Sequence, residues 1–107
     1  MVSFAENATT RAPWSYDPAQ TESGIDAISP DGETSISDGF ALARELFADD
    51  GAGTRTDAAK IVLFFSDGEQ TNDNVDNKTL FQTAVHAAQL VKDLPATVFA
   101  WGASETR

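Results

Sequence analysis

The chain has 107 residues, 41% of them hydrophobic and 22% charged, proportions of a globular chain that set wholesale disorder aside. Its length suits one small domain, of the common size of about 100–150 residues. Seventeen Asp and Glu against seven Lys and Arg give a net charge of −10, which repels phosphate backbones, argues against nucleic acid as a partner and favours divalent cations and basic protein surfaces.

The charge is uneven. Residues 1–59 carry 11 acids and 3 bases, whereas residues 60–107 carry 6 acids and 4 bases. A solvated acidic face explains such a balance, and so does a subset of carboxylates gathered around a cation. The absence of cysteine removes disulfides, thiolate zinc sites and thiol nucleophiles. The longest apolar run is Ile61-Val62-Leu63-Phe64-Phe65, far short of the roughly 20 residues a membrane-spanning helix needs. No charged segment followed by an apolar one opens the sequence as a signal peptide would.

In chain order, residues 2–5 read as a short apolar strand already under way. Residues 6–19 are polar and turn-rich, with Trp14 and Tyr16 alternating as on an edge strand, where Pro13 is tolerated because no ladder hydrogen bond is required of it. Asp17-Pro18 predicts a helix start, Asp as the cap and Pro at the first helical position; a short helix through Ile25 and Ile28 follows, weakened by Gly24. Residues 29–35 form a loop of turn formers. Ile36, Phe40, Ala43 and Phe47 then recur at helical spacing, and Ser35 with Asp38 resembles a capping box.

Lys60–Ser66 is the strongest predicted strand. Five consecutive large apolar residues predict burial on both faces, as in a parallel sheet covered by helices. The run stops at the polar turn Ser66-Asp67-Gly68. A helix over residues 79–92 follows, with Leu80, Ala84, Ala88 and Val91 on its apolar side, widened by Phe81 and Val85. Gln82, His86, Gln89 and Asp93 lie on the polar side. Pro95 ends the helix and residues 97–101 make a last strand before Gly102. Alternating strands and helices predict an α/β fold with a mostly parallel sheet and helices on both faces.

Ligands of an open parallel sheet bind outside the carboxyl ends of its strands. Asp67 follows the most apolar strand there, and the loop holding Thr34 and Ser35 opens a helix. A carboxylate and a hydroxyl together suggest a site for a hard cation, which takes oxygen ligands, although two such groups are too few for tight binding. The bland alternative is that these residues cap helices and turns.

Segments GETSISDGFALA (32–43), KIVLFFSDGEQT (60–71) and TVFAWG (97–102) together resemble a von Willebrand factor A-type domain, a three-layer, Rossmann-like, doubly wound fold. The resemblance spans nearly the whole chain as a single partial domain. It implies a non-enzymatic protein-binding module whose Mg²⁺, or Ca²⁺ or Mn²⁺, sits at a metal-ion-dependent adhesion site. Within that site Thr34 matches the threonine of the second loop and Asp67 the aspartate of the third. A partner protein's acidic side chain then completes the coordination in adhesion or complex assembly. The first loop of the site, D-x-S-x-S, occurs nowhere in the 107 residues. The family order places it, with the strand that carries it, before Met1, and the family's last helices and strand after residue 107. That strand would lie between residues 2–5 and 60–66, so both strands are expected to have unpaired edges. An unstable or aggregating chain, binding metal weakly or not at all, follows from this.

Other readings remain open. A metal-independent structural scaffold fits the same fold. Asp67-Gly68-Glu69-Gln70-Thr71 also resembles the nucleophile motif of haloacid-dehalogenase-type phosphatases, with Glu69 where that motif has its second Asp. His86, the sole histidine, falls on a polar helix face and reads as solvated. Residues 67–76 lack the central glycine of an EF-hand loop. Asn7-Ala8-Thr9 and Asn77-Lys78-Thr79 are glycosylation sequons, which lend slight weight to an extracellular or cell-surface location.

Overall fold

The computed structural model describes residues 1–29, 32–48, 57–66 and 78–102. The chain starts with a hairpin. Strand β1 (Val2–Phe4) pairs antiparallel with β2 (Ala8–Thr10), Val2 opposite Thr10 and Phe4 opposite Ala8. The Ala5 N–H donates to the Asn7 carbonyl (2.9 Å) across the turn, and Arg11 N–H to the Met1 carbonyl (2.8 Å) at the open end. There the Met1 amino group donates to the Ala12 carbonyl (2.7 Å), and partial burial lowers its pKa from 8.0. The edge strand is thus Ala8–Thr10, not the stretch holding Trp14 and Tyr16. Those two follow in irregular backbone, where Trp14 packs on Phe47 (5.3 Å between ring centroids) and donates from Nε1 to the Leu46 carbonyl (3.1 Å).

Helix α1 (Pro18–Asp26) begins as the sequence predicts, with the Asp17 carboxylate accepting from Ala19 N–H (3.0 Å) and Pro18 at the first position. Helix α2 (Ile36–Ala48) buries Ser37, Gly39 and Phe40. Strand β3 (Lys60–Ser66) runs parallel to β4 (Ala96–Gly102), in register from Lys60 against Ala96 to Ser66 against Gly102. Between them α3 (Leu80–Lys92) starts on a full capping box: Thr79 Oγ1 accepts from Gln82 N–H (3.1 Å) and Gln82 Oε1 from Thr79 N–H (2.9 Å).

The helices fall into two layers. A Cβ on Gly39 of α2 would lie 2.9 Å from the Phe4 ring, so only glycine lets the helix come this close. Phe40 of the same turn stacks on Phe64 (5.0 Å), and Phe64 on Phe4 (5.6 Å). Such pairs add about 0.5–1.5 kcal/mol each beyond their burial. Helix α2 therefore packs on the hairpin and meets β3 through the Phe40–Phe64 stack, while α3 packs beside α2 and against β4. Gly24 of α1 instead abuts Met1 and the Arg11 carbonyl. Met1 and Phe4 are three residues apart on one extended segment, so they point to opposite faces. Helix α1 thus meets the chain at the open end of the hairpin.

Two expectations are corrected here. Strand β3 is not buried on both faces: Val62 and Phe64 face α2, while Ile61, Leu63 and Phe65 are exposed. Phe81 and Val85 of α3 are likewise exposed rather than part of its packed stripe, which narrows to Thr83, Val91 and their neighbours. The strands also form two separate two-stranded sheets, β1 with β2 and β3 with β4.

Candidate metal centre

The loop ahead of α2 is held in place by one buried side chain. Gly32 turns the chain with a positive φ of 55°, a conformation that favours glycine. Ser35, fully buried, donates its N–H to the carbonyl of Ala5, one residue past β1 (2.7 Å). Its Oγ accepts from Asp38 N–H (3.3 Å) and lies 3.4 Å from the Ser37 hydroxyl. Its carbonyl accepts from Gly39 N–H (3.3 Å). The sequence named both Thr34 and Ser35 as caps; Ser35 caps the helix and also ties the loop to the strand. Asp38, in the first turn, sets a negative charge against the positive end of the helix dipole.

Thr34, half-buried, is consequently fixed at the carboxyl end of β1. Strand β3 ends at Ser66, two residues beyond the Phe64 ring that stacks on Phe4. Phe4, at the end of β1, and Phe64 of β3 both pack against α2 through Gly39 and Phe40. Asp67, the other proposed ligand, lies outside the described residues, as does the phosphatase-like run 67–71. Sequence reasoning missed the anchoring by Ser35 and Ser37; the Ser35-x-Ser37 spacing was its only trace.

A half-buried hydroxyl on a pinned loop suits a hard cation, which takes neutral and charged oxygens alike. Among the described residues no group of three or more His, Cys, Asp or Glu could hold a metal ion. Any cation at this edge therefore needs oxygens from beyond them. His86 is exposed on α3, as its polar-face position implies.

A family model described as the von Willebrand factor type A domain matches residues 1–70, from the hairpin through α1, α2 and β3 to residue 70. The chain belongs to the von Willebrand factor type A family. Its Rossmann-like α/β fold accounts for the helices and the parallel β3–β4 pair. Domains of the family are generally non-enzymatic protein-interaction modules, and they often bind divalent metals. No curated protein matches the chain. None of its described helices is long and apolar enough to cross a membrane. Of the two sequons, Asn7 and Thr9 are exposed on the β1–β2 hairpin, and Asn77 lies outside the described residues.

Proposed function

We propose that this von Willebrand factor A domain is a non-enzymatic protein-binding module whose partner binding depends on a divalent cation, Mg²⁺ or the similar Ca²⁺ or Mn²⁺. The supporting observation is the family match together with the position of Thr34, next to Ser35, whose N–H ties the loop to Ala5 just past β1. Thr34 supplies a hydroxyl oxygen and Asp67 a carboxylate, directly or through water. The remaining oxygens come from a D-x-S-x-S loop outside these 107 residues. A cation that its own ligands leave incompletely neutralised attracts an anionic group, so an acidic side chain of the partner protein completes the coordination. Thr34 and Asp67 position and hold the ion, and no bond is made or broken. The exposed Asn7 sequon favours an extracellular or cell-surface setting.

In the intact domain, Asp67→Ala is expected to abolish partner binding that a chelator also abolishes, as read in a pull-down or by surface plasmon resonance. Binding unchanged by both would favour the metal-independent scaffold.

A further inference from the structure

The two sequons of the chain differ in what the fold leaves open to a modifying enzyme. Asn7 lies in the turn between β1 and β2, Thr9 lies in β2, and both are exposed. The turn is closed by backbone alone, Ala5 N–H donating to the Asn7 carbonyl (2.9 Å). Among the described residues, neither the Asn7 amide group nor the Thr9 hydroxyl makes a hydrogen bond. Strand register gives the reason for Thr9. Ala8 pairs with Phe4, whose ring packs on Gly39 of α2, whereas Thr9 pairs with Ser3 on the other face. Ala8 between them is not proline, the one residue that the sequon forbids there. The second sequon is placed differently. Thr79 Oγ1 accepts from Gln82 N–H (3.1 Å) within the capping box of α3, so its oxygen already serves the helix start.

We propose that Asn7 is the acceptor of an N-linked glycan when the protein is exported. This rests on the extracellular or cell-surface setting proposed above. In the transfer, Asn7 Nδ2 attacks the anomeric carbon of an oligosaccharide carried on a polyprenyl pyrophosphate. The N–C bond forms as the C–O bond to the pyrophosphate breaks. The lipid pyrophosphate leaves with the electron pair, and the amide proton passes to a base of the transferase. The Thr9 hydroxyl, two residues on, is the group by which the transferase recognises its acceptor. The turn also borders the loop that carries Thr34. Ala5 accepts from Ser35 N–H, and a Cβ on Gly32 would stand 3.6 Å from the Glu6 Cβ. A glycan on Asn7 therefore starts beside that loop.

Intact mass and peptide mapping of the full chain, exported by a eukaryotic secretory host behind a cleavable leader, test this directly. The material is recovered from the secretory compartment and the medium. The expected result is a glycoform whose added mass is removed by peptide N-glycosidase in heavy-oxygen water, leaving a labelled aspartate where Asn7 stood. The label at this position is lost in Asn7→Gln and in Thr9→Val, which keeps the branched shape suited to a strand. It is kept in Thr9→Ser, which retains the hydroxyl. Because the leader forces export, a failure counts against the site. A native protein retained inside the cell would count against the setting instead. Exported chain left unmodified at Asn7, or modification there that persists in Thr9→Val, would overturn the proposal.

Discussion

Ser35 shows how one small side chain sets the geometry of a candidate site. Its backbone N–H holds the loop to Ala5 while its Oγ accepts from the first turn of α2. Losing the cap interaction typically costs about 1 kcal/mol, and a domain of this size loses about 4–8 °C in Tm per kcal/mol. Ser35→Ala is therefore expected to lower Tm by about that amount in a thermal melt followed by circular dichroism. An unchanged Tm would mean that the backbone bond to Ala5 alone fixes the loop. Capping chemistry was legible here because it is local: Asp17 and Ser35 each precede a helical pattern, and each side chain accepts from its helix's first turn; Thr79 does the same for α3, where the sequence named only the helix. Gly39 was not legible in the same way. Its requirement comes from the Phe4 ring, 35 positions earlier in the chain, and no local pattern encodes that contact.

Strand β3 is where element-level reading succeeded in position and failed in environment. The uninterrupted apolar run locates the strand at Lys60–Ser66, but a run of that kind reports what the residues tolerate, not what covers them. The cover is a tertiary matter, settled by α2 and α3 lying on the Phe64 side. The same reason separates Phe81 and Val85 from the packed part of α3: helical periodicity gives a stripe, and only the neighbours decide its width. The asymmetry of β3 makes adjacent residues differ sharply in energetic weight. Phe64→Ala removes a ring stacked on both Phe4 and Phe40 and is expected to cost about 2–3 kcal/mol, below the fully buried range because Phe64 is half-buried. Leu63→Ala, on the open face, is expected to cost under about 0.5 kcal/mol at concentrations where the chain is monomeric. Urea midpoints at low protein concentration check both, and equal losses would show that both faces of β3 are covered.

For the whole molecule, the balance between covered and open surface matters most. Among the described residues only Ala12, Phe40 and Val91 are buried apolar side chains, a small core for 107 residues. The β1–β2 and β3–β4 pairs are joined by aromatic stacking and by α2 rather than by one continuous sheet. The family and the α/β fold were legible because their motifs are contiguous segments in a fixed order. The proposed site residues Thr34 and Asp67 were read from the same motifs; Thr34 lies on the loop ahead of α2, and Asp67 is outside the described residues.

The central claim is that Thr34 and Asp67 share one cation at the carboxyl edge. Titration of the chain with Mn²⁺, followed by paramagnetic broadening of its backbone amide signals, tests that claim most directly. Two ligands give an affinity weaker than about 10⁻⁴ M, which this effect still detects. The account predicts broadening centred on Thr34 and Asp67 together and lost in Asp67→Asn. Broadening spread over the acidic surface, or unchanged in Asp67→Asn, would contradict it.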